Sequence, residues 1–241
     1  MSLSPGLRWA ALPLEWVVFV QNAETEISGG LQTIDETSVL GGLYFPRLWQ
    51  SGNLRLRGHA FVGHARYQGQ REVFTNFGGG SLQTTASFQS LLALGGLEAV
   101  WAQPVTSWLD AQATFAADIE YESTRSYEES TLFSWDERRL VQGVLSAQAG
   151  LVARPWNRTS LYAQGGVIAR ELLSGRTATV RMNGSAGDFS GGVNGQTRFR
   201  GTVGFQHQLT PRATIGLEAS AFLGENDASG WSTAATLGFG L

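Results

Sequence analysis

The chain has 241 residues with 17 basic and 20 acidic side chains, a net charge of −3 and 42% hydrophobic residues. The absence of cysteine excludes disulfides, thiolate metal sites and thiol nucleophiles, and the acidic balance with no basic run argues against a nucleic-acid partner. Charged residues make up only 15%, yet mean hydropathy is −0.08 and no uncharged apolar run approaches the roughly 18 residues that a membrane helix needs.

Residues 1–13 contain Pro5 and Pro13 and read as a segment ahead of the first strand. Arg8 and the apolar stretch after it have the outline of a secretory signal. Glu15 falls inside the would-be apolar region, however, and Gln21-Asn22-Ala23 is a poor cleavage site, so a strand is the better reading. Two-residue alternation then runs along the chain: 14–25, 36–48, 53–68, 82–103, 108–123, 139–155, 160–172, 197–209, 213–225 and 231–241. The stretch 108–123 shows the division best. Leu109, Ala111, Ala113, Phe115, Ala117, Ile119 and Tyr121 alternate with Asp110, Gln112, Thr114, Ala116, Asp118 and Glu120. In 213–224, Ile215, Leu217, Ala219, Ala221 and Leu223 alternate with Glu218, Ser220 and Phe222. Helical periodicity is absent.

The connections alternate in length. Short ones fall at Gln50-Ser51-Gly52, Pro104-Val105-Thr106, Trp156-Asn157-Arg158-Thr159 and Thr210-Pro211-Arg212. Long polar loops lie between them, at about 26–35, 69–81, 124–138 and 173–196, and a short Asp227-Ala228-Ser229-Gly230 closes the series. About ten strands are expected, within roughly eight to twelve, and an even number is the rule for bacterial transmembrane barrels. This alternation places both chain ends on the side of the short turns. Losing 1–23 would leave an odd number of strands.

Period two alone does not say which face is inside. Four features select a barrel whose apolar face meets lipid. That face is rich in Ala and Gly, which would fill a soluble core poorly. The strands reach or exceed the ~9–11 residues of a membrane crossing, against about 5–6 in globular proteins. Trp49, Trp101, Trp108 and Trp156 lie beside short turns, while Tyr121, Phe199 and Trp231 lie near the long loops, giving two aromatic girdles. Short turns at one end and long loops at the other match periplasmic turns and extracellular loops.

With these residues in place, the chain resembles a bacterial outer-membrane β-barrel: all-β, antiparallel, up-and-down, one domain over 1–241. The final strand, WSTAATLGFGL, resembles the C-terminal signal read by the barrel-assembly machinery, through Leu237, Phe239 and Leu241. The resemblance implies an outer-membrane location, both termini in the periplasm, and lipid and lipopolysaccharide as surroundings.

A barrel of this size has a narrow interior filled by side chains. Its inward face is expected to hold Arg55, Arg57, Glu98, Asp110, Asp118, Glu120, Arg154, Arg170, Arg198, Arg200 and Glu218 as a lumen ion network. Opposite charges there should pair, because an unpaired buried charge is costly. Height counting pairs Asp110 with Arg154 and Arg57 with Glu98, and sets Asp118 and Glu120 level with Arg170, Arg198 and Arg200. No catalytic site, metal site or cofactor is assigned. The outer-membrane proteases called omptins resemble this architecture and use paired Asp and an Asp–His couple near the outer rim. Here His207 falls at the opposite end, and His59 points inward at mid-depth. Lipid-modifying barrels need a His–Ser pair at the interface, for which His64 with Ser87 is the one weak candidate. The expected function is a membrane anchor or surface-adhesion module acting through its loops, with an unidentified surface partner. The alternatives are a narrow porin-like channel with an Arg/carboxylate constriction and an autotransporter-like translocator.

Overall fold

The computed structural model describes residues 14–27, 32–74, 81–130, 133–175, 177–182, 185–190, 195–225 and 228–240. The strands among them are β1 (Glu15–Ile27), β2 (Gln32–Ser51), β3 (Leu54–Phe74), β4 (Ser81–Pro104), β5 (Leu109–Thr124), β6 (Tyr127–Glu128), β7 (Phe133–Trp135), β8 (Arg138–Trp156), β9 (Thr159–Ser174), β10 (Thr177–Met182), β11 (Ser185–Ser190), β12 (Gln196–Thr210), β13 (Ala213–Gly224) and β14 (Ser229–Gly240). Ten of them close an antiparallel barrel in the order β1-β14-β13-β12-β9-β8-β5-β4-β3-β2, and the other four form a sheet in the order β11-β10-β7-β6. Each strand read from the alternation is one barrel strand. β1 closes the ring on β14, from Glu15↔Gly240 to Glu26↔Ser229. The expected terminal segment 1–13 and the last signal residue, Leu241, lie outside the described residues.

The alternation of side chains explains the pairing. One parity of every barrel strand points inward and the other outward, and the registers keep like parities together around the ring. Val100 and Ala65 on the inward parity are 1% and 0% exposed, whereas Phe115 and Leu145 on the outward parity are 61% and 63% exposed. Outward-facing Val62, Leu97, Ile119, Leu151 and Val203 continue the exposed apolar belt. Such a continuous belt is far larger than a water-soluble monomer displays. At the depth of the belt the charged side chains stand instead inside the ring, an inversion that suits a hydrocarbon exterior.

The lower rim carries the short turns: Gly52–Asn53 between β2 and β3, Asn157–Arg158 between β8 and β9, and Pro211–Arg212 between β12 and β13. Gly52 occupies the left-handed region at φ 55°, where a side chain would be strained. Trp49, Trp101, Trp108 and Trp156 are exposed around this rim. Trp16 and Phe239, paired with each other across the β1–β14 closure, join them. Exposed Phe199 and Trp231 stand nearer the upper rim, and Tyr121 is half-buried on the outward parity.

At the upper rim the strands run past the expected limits. β1 extends to Ile27, β2 starts at Gln32, β3 reaches Phe74 and β4 starts at Ser81. The loops read at 26–35 and 69–81 are therefore largely strand. Backbone pairing needs no apolar face, so the ladder continues through polar pairs such as Asp35↔Gln68 and Gln70↔Thr85 after the lipid-facing belt has ended. β2, β3 and β4 have 20, 21 and 24 residues, about twice a membrane crossing. They form a wall projecting well above the belt.

Leu151 sits on the outward face about midway along the belt, 49% exposed. Leu151→Arg is expected to destabilise the folded barrel by about 2–4 kcal/mol, with Leu151→Ala costing less. Reversible urea unfolding in lipid vesicles measures both. Equal stability of the Arg variant and the parent would show that this face does not meet lipid.

Candidate functional site

Two groups of side chains carry chemistry: the charges of the lumen and the sheet above it. In the lower lumen Arg154 pairs with Asp110, with Arg154 more than half exposed and Asp110 nearly buried. Arg57 Nη1 lies 3.3 Å from Glu98 Oε2, on neighbouring β3 and β4. His59 Nε2 lies 3.2 Å from Asp118 Oδ1. Gly96 stands between their two strands, and a Cβ there would meet the Asp118 carboxylate and the Ala117 carbonyl, so only glycine leaves the carboxylate its place. Above them Arg170 Nη1 lies 3.4 Å from Glu120 Oε2. On the far wall Arg200 donates to Glu218 Oε1 at 2.7 Å and Tyr162 donates to Glu218 Oε2 at 2.9 Å. Arg198 lies over the Phe222 ring, 4.8 Å from its centroid.

Asp118 thus meets His59 rather than an arginine, although height counting set it level with Arg170. Rows of the sheet run obliquely to the barrel axis, so residues sharing a row need not share a height. Arg55 is on the inward parity of β3 opposite Val100. Arg57 Nε is buried with no hydrogen-bond partner among the described residues, and Asp118 Oδ1 has the His59 contact alone. Between the charges, buried Val17, Leu40, Val100 and Val144 are interspersed with buried Ser38, Ser90, Thr114, Thr202 and Ser220. The interior is therefore mixed rather than uniformly polar.

His207 sits at the lower rim, its Nδ1 2.8 Å from Thr159 Oγ1. His64 stands opposite Leu91, while Ser87 faces Gln68, four residues farther up β3. That offset is roughly 13 Å, so the His64–Ser87 pair is not brought together.

The second group lies in the two longest connections, where the sequence reading placed only loops. β6 and β7 come from the β5–β8 connection, and β10 and β11 from the β9–β12 connection. They join through β7–β10, with Trp135 opposite Val180 and Ser134 opposite Arg181. Asp136 N donates to Thr179 O at 3.1 Å, and Arg181 grips the Asp136 carboxylate with two bonds of 3.1 and 3.0 Å. Alternation again sets two faces. Tyr127, Trp135, Val180 and Ala178 share the inner face, with Val180 and Ala178 buried, while Glu128, Thr177, Arg181 and Asp188 stand exposed on the outer face.

This cap sheet is fastened to the inward side of the projecting wall. Glu129, just past β6, has a buried side chain that accepts four hydrogen bonds. They come from Arg71 Nε (3.3 Å) and Nη2 (2.9 Å), Thr84 Oγ1 (3.2 Å) and Trp135 Nε1 (2.7 Å). Ser130 N donates to Thr85 O at 2.8 Å, and Ala86 bridges Glu129, so the cap hydrogen-bonds to β4 along its edge. A column of rings continues the contact: Tyr67 on Phe88 (4.8 Å), Phe88 on Tyr127 (4.5 Å) and Tyr127 on Trp135 (6.0 Å). Arg71 lies 5.5 Å from the Phe133 ring centroid and 5.6 Å from that of Trp135. Burial, with the Glu129 charge nearby, pushes the Tyr127 hydroxyl up to about 12.

The latch residues were missed because a carboxylate in a polar loop reads as solvated. The strand beneath was visible in principle. In 177–182, Ala178, Val180 and Met182 alternate with Thr177, Thr179 and Arg181.

No protein-family model and no curated protein sequence matches this chain. Solved structures do match. The translocator domain of the autotransporter NalP from Neisseria meningitidis superposes with a TM-score of 0.53 at 13% identity, over 97% of this chain and 90% of that one. The outer membrane protease OmpT from Escherichia coli gives 0.51 at 8% identity, over 100% and 99% of the two chains. The transport unit of the autotransporter AIDA-I from Escherichia coli gives 0.50 at 9% identity, over 99% and 93%. At such identities the likeness is one of fold, and that fold is the outer-membrane β-barrel.

Glu129→Gln is expected to weaken cap docking by about 3 kcal/mol, the scale of a broken buried pair, and to open the β5–β8 connection to trypsin while the barrel stays folded. Unchanged protection at Arg125 and Arg138 would refute the latch. Arg181 holds the Asp136 carboxyl below its usual value of 3.8. Its contribution is complete above that value and is lost as pH falls through the lower folded one. Amide exchange in β7 and β10 should therefore hold steady down to the usual carboxylate range and quicken below it, and Asp136→Asn should abolish that dependence.

Proposed function

We propose that this chain, a transmembrane barrel of the outer-membrane type, is a sealed anchor that holds a folded β-sheet at the cell surface as a binding module. The observation that carries the reading is the cap. Two separate connections are spent on one sheet, its apolar face turned to the barrel and its polar face left exposed. A loop that only closed a hairpin would need neither the interlocking of β7 with β10 nor the four-donor latch at Glu129. The pairings in the lumen support sealing, since Asp110, Glu98, Asp118, Glu120 and Glu218 each have a basic or imidazole partner. On this reading the upper rim faces outward and both ends of the described chain face the periplasm.

A narrow channel is the second reading. It is favoured by Arg57 Nε, which is buried with no hydrogen-bond partner among the described residues. The translocator reading has only the likeness of fold to NalP and AIDA-I behind it.

Planar-bilayer recording separates the first two readings: the sealed anchor gives no conductance steps, whereas discrete steps would overturn it. A membrane-impermeant thiol reagent added to intact cells should label Thr177→Cys on the outer face of the cap. Labelling only after outer-membrane rupture would reverse the orientation.

A further inference from the structure

The outer wall of β3, β4, β5 and β8 changes character in tiers at the top of the apolar belt. Val62, Leu91, Ile119 and Leu145 are the exposed apolar residues of the belt there. Above Tyr121 and Val141, which pair with each other, the outward parity changes in kind. Arg66 is opposite Gln89, and Gln89 O accepts a hydrogen bond from Arg125 N, so the two arginines flank one residue. That places them two strand spacings apart, about 10 Å. One row lower, His64 pairs with Leu91, Leu91 with Ser123 and Ser123 with Arg139. His64, Arg66, Arg125 and Arg139 are all exposed, and among the described residues Arg139 is the one of the three arginines with an ion-pair partner, Glu137, at 3.0 Å. Above them the wall turns to amides and hydroxyls: Gln68 beside Ser87, and Gln70 beside Thr85.

The opposite side of the rim has the reverse charge. There Glu24 accepts a hydrogen bond from Trp231 Nε1 at 3.0 Å, and Glu26 lies one step higher on the same face. The basic corner is thus not a uniform collar of interfacial arginines. It sits over four strands, between hydrocarbon-compatible residues below and sugar-compatible residues above.

We infer that this corner binds a phosphorylated glycolipid of the outer leaflet: acyl chains along the apolar tier, phosphates between Arg66 and Arg125 with His64 and Arg139 alongside, and sugar hydroxyls against the glutamine tier. Guanidinium groups supply paired donors to phosphate oxygens. The inference rests on the orientation proposed above, but not on the cap or on a sealed lumen.

The test uses the full chain folded into phosphatidylcholine vesicles, with a bis-phosphorylated lipid A-type glycolipid and its dephosphorylated form as probes. Retained lipid is measured by native mass spectrometry. The parent should retain the phosphorylated form and not the dephosphorylated one. The double variant R66Q/R125Q should retain about thirtyfold less, from roughly one unit of surface attraction per arginine. The double variant R158Q/R212Q, which removes two charges at the opposite rim, should match the parent. Equal retention of both glycolipids, undiminished retention by the double variant, or displacement by equimolar inorganic phosphate would each overturn the site. Heat-shifted migration on gels establishes that every variant is folded. Bilayer conductance is recorded on the same samples, so failure of the lipid site is read separately from failure of the sealed anchor.

Discussion

Inside a bilayer there is no water to satisfy a peptide group, so each backbone N–H and C=O must find its partner within the protein. The pairing of β1 with β14 meets that demand. Without it, two edge strands would present open hydrogen-bonding groups to hydrocarbon. Closure also makes period two binding on the whole molecule. A one-residue slip at any ladder would move a full strand's apolar set inward and its charges into lipid. The position of every lumen charge and every girdle tryptophan is inherited from that single ring of registers.

The lumen then has to solve the problem of charges enclosed in a narrow space. It does so by local pairing. Arg57 with Glu98 and Arg200 with Glu218 join adjacent strands, so each pair is held by the same ladder that holds the backbone. His59 and Asp118 reach across β4, which is open only because Gly96 has no side chain. Valines, serines and threonines fill the intervals. Exchanging one member of a pair for a neutral residue would leave its partner buried with its charge unanswered, a loss greater than the pair's own net worth.

The barrel was legible in the sequence because lipid contact on one face and a filled lumen on the other enforce alternation over a dozen or more residues per strand. Where that enforcement stops, legibility stops too. Gln32, Asp35, Gln70 and Arg71 lie on strands above the belt, where nothing demands an apolar neighbour, and their polarity reads as loop. The cap was hidden for another reason. Phe133–Trp135 is three residues long, too short to show a period, and its pairing with β10 depends on two segments more than forty residues apart in the chain. Glu129 and Arg71 could be seen as charges but not as a pair, since nothing local relates them. Trp16 escaped the girdle because it precedes the first turn, where the clustering of tryptophans beside short turns gave no cue. Asp118 was placed on the right face and given the wrong partner, because counting residues along a strand measures distance along a tilted line.

The junction of β7 with β10 has a consequence for how such a surface can vary. Surface loops on a rigid scaffold usually diversify one at a time, each free to lengthen or shorten without regard to the others. Here two loops are one folded unit. An insertion within 133–135 would shift the register against 177–182 and turn Trp135 and Val180 to the wrong side. Sequence drift is thereby confined to the outward positions, such as Thr177, Arg181 and Asp188, while the facing set must change in concert. Exchange of surface specificity between relatives of this protein would have to move both segments together, and an antibody raised against either segment as a free peptide would be selecting a shape that the intact molecule does not present.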